Sequence, residues 1–251
     1  SIVGETTVAP SPVYNPQYNE TPRALTEEEI EELVEAYAAA ARRAVSAGFD
    51  GLQIHGAHGY LISQFISPLT NKREDKWGGS LENRMQFPIS VVRRIREEVG
   101  DNYPVMIKLG SEDFLDGGLT VEEGARIAKA LSREGIDAIE ISGGIGESTD
   151  EVIKTGISDE RDEAYFLPNA RKVREVIDVP LMLVGGLRSQ GLMERVLEKG
   201  EADMVSLCRP FIREPDLVNK WKQGDRKKAD CISCSRCLKS CDGQVRCILL
   251  D

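Results

Sequence analysis

The 251-residue chain contains no apolar run approaching the roughly 18 residues that a membrane-spanning helix needs. Positive charge is also scarce, since 32 Lys and Arg residues stand against 42 Asp and Glu residues, a net charge of -10. That balance argues against nucleic-acid binding, which depends on clustered basic side chains. Residues 1–4 lack the basic and apolar regions of a secretion signal. We therefore expect a globular cytoplasmic protein that binds neither nucleic acid nor membranes.

Cysteine is absent before position 208 and concentrated near the C-terminus, where five of the six cysteines lie between positions 231 and 247. A secreted protein held together by disulfides would distribute its cysteines through its loops. The clustering therefore predicts one local site in an intracellular protein.

Four prolines among polar residues predict an irregular segment over residues 1–25. The first helix is expected to begin after Thr26, because Thr26 and Glu29 have the spacing of a capping box. Apolar residues then recur at helical period to about Ala47, and Gly48 ends the pattern.

A helix followed by a short apolar strand recurs along the chain. Residues 48–54 and 135–141 have the same turn-and-strand pattern, and Thr120 with Glu123 repeats the capping box; residues 200–207 form a looser third copy. Residues 104–109 and 180–184 predict two more buried strands. Five short apolar strands that alternate with helices are typical of parallel βαβ units with both sheet faces covered.

Polar residues or glycine pairs follow nearly every strand, as in a (β/α)8 TIM barrel, whose active site lies at the carboxyl ends of the strands. Such an α/β barrel needs eight strands, and five are predicted here. We therefore expect strands 4 to 8 of a barrel over residues 26–222, followed by a Cys-rich tail over residues 223–251. A complete, doubly wound five-stranded domain is the alternative, although its open sheet edges disfavour it.

The sequence His55-Gly-Ala-His58-Gly-Tyr60 follows the first of these strands and contains both histidines of the chain. Two imidazoles at this spacing can converge on one oxygen atom, and the phenol can offer a proton to an adjacent carbon. The alternative is a structural role, in which backbone carbonyl groups satisfy the histidines.

This motif continues to Pro68 and then through Asn71, Arg73, Asp75 and residues 78–84. Over this stretch the chain closely resembles the Old Yellow Enzyme family of FMN-dependent oxidoreductases, in which it follows the fourth strand of the barrel. The resemblance implies that His55 and His58 bind the carbonyl oxygen of an α,β-unsaturated substrate, with Tyr60 as general acid. NAD(P)H would be the electron source and a small enone or enoyl compound the partner.

Most residues between Asn71 and Arg84 are expected to be architectural. Ser80 and Asn83 have the chemistry of local backbone caps, and Arg73 and Arg84 are expected to pin the loop through ion pairs.

The resemblance also assigns FMN contacts. Lys108 matches the position at which relatives carry a cation beside flavin N1 and O2, where it would stabilise the anionic reduced ring. A lysine that extends to solvent is the alternative. The phosphate and ring contacts fall on two glycine pairs and an arginine: Gly143, Gly144, Gly185, Gly186 and Arg209. Because the contacts of the family's first and third strands are not found here, we expect the isolated chain to bind FMN poorly.

The cysteine spacing resembles the 4Fe-4S site that follows the barrel in the dienoyl-CoA reductase branch of the family. The matching residues are Cys231, Cys234, Cys237 and Cys247, with shorter gaps than in that branch. Zinc binding and free thiols remain alternatives, and Cys241 lies inside the same segment.

The sequence thus predicts an FMN-dependent ene-reductase. The alternatives are a truncated, non-catalytic barrel that serves as a partner subunit, and a cofactor-free lyase or aldolase that uses Lys108 for a Schiff base. The natural substrate, the choice between NADH and NADPH, and whether the chain forms a homo-oligomer are not determined by the sequence.

Overall fold

The computed structural model describes residues 6–16, 19–239 and 245–250. The strands are β1 Val8–Ala9, β2 Arg23–Ala24, β3 Leu52–Gly56, β4 Val105–Gly110, β5 Ala138–Ser142, β6 Leu181–Leu183 and β7 Met204–Val205. The α-helices are α1 Glu27–Ser46, α2 Leu61–Ile66, α3 Leu81–Arg84, α4 Gln86–Val99, α5 Val121–Arg133, α6 Thr149–Val152, α7 Leu167–Arg174, α8 Gln190–Glu198, α9 Arg209–Arg213 and α10 Leu217–Lys222.

Strands β3 to β7 form one parallel sheet whose spatial order equals their order in the chain. Helices lie between successive strands, and α1 packs against α4 while α5 packs against α7. Both predicted capping boxes are present, at Thr26 with Glu29 and at Thr120 with Glu123. The five strands alternating with helices confirm the predicted parallel α/β architecture of a partial barrel.

Side chains alternate across the sheet, as the pleat of a strand requires. Ile54, Ile107, Ile139 and Leu181 belong to the hydrophobic core that the strands form with the helices. On β3 the intervening residue His55 is exposed, and so is Gln53. The expectation that both faces of the sheet are covered is therefore wrong at this strand. We call the face that carries His55 the concave face, because it corresponds to the interior of the barrel.

One row of residues crosses the concave face at a single level. The backbone register places five residues side by side on β3 to β7: His55, Lys108, Glu140, Met182 and Met204. Adjacent strands lie about 4.8 Å apart, so neighbouring members of this row are within reach of each other. The row therefore brings one imidazole, one amine and one carboxylate together at the open side of the sheet.

The N-terminal segment differs from the irregular lead-in that its prolines predict. Strands β1 and β2 pair in parallel, with Arg23 N donating to Thr7 O and Leu25 N to Ala9 O. The prolines lie outside both strands, so each strand keeps the amide donors that the pairing needs. In the described part of the chain, no helix combines the length and hydropathy required to cross a membrane.

Candidate functional site

Three aromatic side chains lie together at the carboxyl end of β3. The ring centroids of His55 and His58 are 5.3 Å apart, and those of His55 and Tyr60 are 4.9 Å apart. Tyr60 is 58% exposed and occupies the N-cap position of α2. The structure thus brings the three predicted catalytic residues to one place, within reach of a single small molecule.

The turn after β3 holds His58 in an uncommon backbone conformation, with a φ of 64°. A 2.7 Å hydrogen bond joins His58 Nε2 to Ser142 Oγ at the end of β5. The carbonyl group of Ser142 in turn accepts hydrogen bonds from the amide and the hydroxyl group of Ser111. This contact anchors the imidazole ring to the neighbouring strand ends and favours one orientation of the ring.

Both imidazoles are held in their neutral form at pH 7. Burial and, to a lesser extent, the nearby Lys108 ammonium group lower the pKa of His58 to about 4. Burial and Lys108 also lower the pKa of His55 below its ordinary value, while the Glu140 carboxylate acts in the opposite direction on both rings. A neutral imidazole carries one N–H donor and can hydrogen-bond an uncharged carbonyl oxygen.

Lys108 does not simply extend into solvent, which was the alternative considered above. Its Nζ lies 3.0 Å from Glu140 Oε1, and the Lys108 side chain is 22% exposed. Gln53 Nε2 donates to the other oxygen of Glu140 at 2.9 Å. The ammonium group has further N–H donors, so a ligand on the concave face can still bind Lys108.

Glu140 and Gln53 are members of this site that were not predicted as functional residues. Glu140 interrupts the apolar run of β5 and is 6% exposed, and a buried carboxylate in an apolar strand requires a partner. That single charged residue in a buried strand was the available indication of its role. Its partners could not be identified, because Gln53 is 87 residues away in the chain.

The glycine pairs after β5 and β6 lie where loops pack closely. A Cβ atom on Gly144 would be 2.5 Å from Val152 Cγ2, and one on Gly186 would be 2.2 Å from Ile157 Cδ1. Gly186 also has a φ of 68°, a conformation that favours glycine. A Cβ on Gly143 would lie 2.6 Å from Phe114 Cε2, and one on Gly185 3.1 Å from Phe166 N. Tight loop packing therefore accounts for these glycines, and their contact with a phosphate group stays a prediction.

Arg209 lies between a loop at the carboxyl end of the barrel strands and the Cys-rich tail (residues 223–251), which we call the cysteine segment. Its guanidinium group donates to Lys154 O at 2.9 Å and to Ser235 Oγ at 2.8 Å. Arg209, which is predicted to bind the FMN phosphate, thus also contacts the cysteine segment, and the sequence did not indicate this contact. A phosphate group at this place would share Arg209 with these partners.

Four cysteines of the tail line one small cavity beside Arg209: Cys231, Cys234, Cys237 and Cys247. All four are free thiols, and burial raises the pKa of Cys237. Within residues 6–16, 19–239 and 245–250, no three His, Cys, Asp or Glu side chains have the arrangement of a metal site. Cys241 lies outside the described residues. The donor chemistry suits a metal cluster, but the thiols are not arranged as ligands in this structure.

The loop between Asn71 and Arg84 has the architectural role that was predicted. Arg73 pairs with Asp75 and donates to the carbonyl oxygens of Pro10 and Leu25, and Arg84 pairs with Glu123 at 2.7 Å. These bonds fix the loop that follows α2.

Parallel strands that alternate with helices and carry polar side chains at their carboxyl ends are typical of a (β/α)8 barrel, whose active site lies at that end. Residues 4–228 match the NADH:flavin oxidoreductase / NADH oxidase family. The chain belongs to that family, which confirms the resemblance found in the motif at His55.

Similar proteins include the NADH oxidase of Thermoanaerobacter brockii, which is 41% identical over 229 residues; the match covers 91% of this chain and 35% of the relative. A metal reductase of Desulforamulus reducens is 38% identical over 94% of this chain and 35% of its own length.

Among solved structures, a 2-naphthoyl-CoA reductase superimposes with a TM-score of 0.81 at 35% identity, covering 90% of this chain and 34% of that chain. An Old Yellow Enzyme homologue from Zymomonas mobilis gives a TM-score of 0.73 at 30% identity, covering 90% of this chain and 64% of its own length. The chain thus spans less than two thirds of either structure.

Proposed function

We propose that the protein is an FMN-dependent oxidoreductase that reduces the C=C bond of α,β-unsaturated carbonyl compounds with NAD(P)H as electron source. The observation that carries this proposal is the group of His55, His58 and Tyr60, with ring centroids about 5 Å apart beside Lys108. Family membership supports the flavin and the nicotinamide. The similar structures include a morphinone reductase, with 29% identity and a TM-score of 0.71, and its name is consistent with reduction of an activated carbonyl compound.

The residues present fit one edge of a flavin ring. Lys108 offers a cation on the concave face beside the two imidazoles, and its amine retains donors that Glu140 does not use. Arg209 and the backbone near Gly185 and Gly186 would hold the phosphate group. FMN held there would supply the hydride-transfer chemistry, with NAD(P)H as the hydride source and the β-carbon of the alkene as the acceptor.

His55 and His58 would act on the carbonyl oxygen of the substrate. As a neutral imidazole each ring has one N–H donor, which for His58 is Nδ1–H when Nε2 accepts from Ser142 Oγ, and hydrogen bonds from these donors would strengthen as negative charge builds on the oxygen during hydride arrival. Ser142 keeps the His58 ring in place, so little reorganisation is needed at that moment. Tyr60 would then transfer its hydroxyl proton to the α-carbon, and the saturated carbonyl product contains the hydride and that proton.

Replacement of Tyr60 by Phe tests the proton-donor role. In the full-length protein loaded with FMN, we expect Tyr60→Phe to slow alkene reduction by about 10²-fold, because a general acid contributes this much or more. Reduction of the flavin by NAD(P)H should be unchanged, as measured by stopped-flow absorbance of each half-reaction.

Tyr14→Phe is a matched control, since Tyr14 is 54% exposed and bonds Asn19 far from the histidines in sequence. Equal losses in both half-reactions of Tyr60→Phe would remove the proton-donor role. Full turnover after replacement of both His55 and His58 would overturn the proposed function as a whole.

We also propose that the cysteine segment binds a 4Fe-4S cluster, supported by the spacing of its cysteines and by the cavity that four of them share. Because the thiols are not arranged as ligands here, no step of the reaction is assigned to the cluster. Anaerobically purified protein should contain about four iron and four acid-labile sulfide atoms per chain. Zinc in their place, or neither metal, would contradict the cluster.

A further inference from the structure

We propose that Glu140 is a positioning residue that holds the Lys108 amine on the concave face and offsets its positive charge beside the histidine pair. In the loaded enzyme this arrangement would limit how strongly Lys108 stabilises the anionic reduced flavin. The effect on the flavin rests on the proposed function, whereas the effect of Glu140 on the position and charge of Lys108 concerns the chain alone. The role goes beyond the assignment of Lys108 as the flavin cation.

The geometry shows a carboxylate with both oxygen atoms engaged. Glu140 Oε1 lies 3.0 Å from Lys108 Nζ, and Gln53 Nε2 donates to Oε2 at 2.9 Å. The Glu140 side chain is 7% exposed, so its two partners replace most of the water that a free carboxylate would bind. Lys108 and Glu140 are direct neighbours in the strand register, which sets this pairing by the backbone itself.

The backbone of β5 does not require an acidic residue at this position. The neighbouring buried residues Ile139 and Ile141 pack into the core, and an apolar side chain at position 140 would avoid the cost of burying a charge. A buried ion pair is weak evidence for stability, because its desolvation offsets most of the attraction. Stability therefore does not account for the pair of Lys108 and Glu140, and we infer that Glu140 acts by offsetting the positive charge of Lys108.

The two charges act on the histidines in opposite directions. Lys108 lowers the pKa of both His55 and His58, and Glu140 raises the pKa of both. Removal of Glu140 would leave the lysine charge unopposed at the place where the substrate oxygen and the flavin edge would meet. The effect of Glu140 can thus be measured on the histidines without any flavin.

The first experiment uses the chain without FMN and exploits its two histidines, which give two resonances after 13C labelling of histidine. We expect Glu140→Gln to weaken proton binding to His55 by about three-fold, because a nearby negative charge is lost. Lys108→Met should strengthen it, and Glu140→Asp, which keeps the charge, should stay near the parent. An unchanged His55 titration in Glu140→Gln would overturn the proposal.

Glu134→Gln provides the matched control. Glu134 caps the C-terminal end of α5 and pairs with Arg93. The variant therefore removes the same charge and a similar ion pair, at a place in the fold far from the histidines. Its histidine titrations should equal those of the parent. Identical shifts in Glu134→Gln and Glu140→Gln would show a general charge effect and contradict the local role.

A second measurement addresses the position of the lysine. Acetylation of Lys108 by acetic anhydride, followed by mass spectrometry, should be faster in Glu140→Gln than in the parent, because the amine has lost the carboxylate that holds it. Acetylation of Lys76, which pairs with Glu27 and Glu31, should be unaffected. Equal Lys108 rates in both proteins would exclude the positioning role.

The third experiment uses the full-length protein loaded with FMN. Glu140→Gln should favour the reduced flavin by about ten-fold, which raises the midpoint potential of the two-electron couple by about 30 mV. Glu134→Gln should leave the potential unchanged, and an unchanged potential in Glu140→Gln would overturn the flavin part of the proposal. If the parent protein bound no FMN, the proposed function would fail, while the histidine titrations would still decide the role of Glu140.

Discussion

His58 shows how one residue depends on both its local turn and a distant strand. Its backbone has a φ of 64° in the turn after β3, and the hydroxyl group of Ser142 on β5 lies 2.7 Å from the ring nitrogen Nε2. Asn and Asp tolerate this left-handed conformation better than most residues do. A substitution that tests His58 must therefore respect the backbone as well as the ring.

The low pKa of His58 predicts a pH dependence of stability. The folded pKa is about 4 and the ordinary value is 6.5, so the unfolded chain binds this proton more readily. The free energy of unfolding should be highest above about pH 6.5 and fall as the pH decreases toward 4. Urea denaturation at several pH values measures this slope.

His58→Asn removes the titrating group and is compatible with the positive φ. We expect this variant to show a shallower decline in unfolding free energy between pH 6.5 and 4 than the parent. An identical slope in both proteins would mean that His58 does not carry the effect.

At the scale of elements, the capping boxes explain where two long helices begin. Thr26 and Thr120 each accept a hydrogen bond from the amide three residues later, and a glutamate side chain completes the box. Gly48 and Gly135 follow these helices with positive φ values and turn the chain into β3 and β5. The repeated module that the sequence predicted is therefore real at these two copies.

Thr120→Ala should lower the free energy of unfolding by about 1 kcal/mol, because the amide of Glu123 loses its partner at the start of α5. Thr120→Ser keeps the hydroxyl oxygen and should remain near the parent. Equal destabilisation by Ala and Ser in urea denaturation would argue that the methyl group of Thr120 matters rather than the cap.

At the scale of the molecule, two arginines, of which Arg188 is buried, join distant parts of the chain. Arg188, which is 5% exposed, donates to Ala229 O and Ile157 O and thereby ties the cysteine segment to a loop at the carboxyl end of the strands. Arg209 adds bonds to Lys154 and Ser235. In the described part of the chain, the Cys-rich tail predicted from residue 223 thus packs on the barrel portion.

The concave face of the partial barrel carries exposed side chains on its first and last strands. Gln53 and His55 are exposed there, and Met204 on the last strand is 41% exposed. In a closed barrel, inward residues fill the interior in layers. Here the face that corresponds to that interior carries the polar row of His55, Lys108 and Glu140 instead.

Much of the architecture could be predicted from local sequence. Caps, glycines and short apolar runs located helices α1 and α5 and all five strands of the main sheet, because these features depend on residues close in the chain. The break between α3 and α4 at Met85 was not predicted. Nor was the pairing of β1 with β2, since two-residue strands have no periodicity to detect.

The sequence by itself indicated His55, His58, Tyr60 and Lys108 as candidate site residues, from their motif, their position and the family resemblance, but it did not indicate Glu140 or Gln53. Only the tertiary structure decided how that chemistry is tuned. Glu140 reaches Gln53 across 87 residues and Ser142 reaches His58 across 84. Such contacts arise from strand register and loop path, which bring together residues whose spacing in the chain carries no periodic pattern.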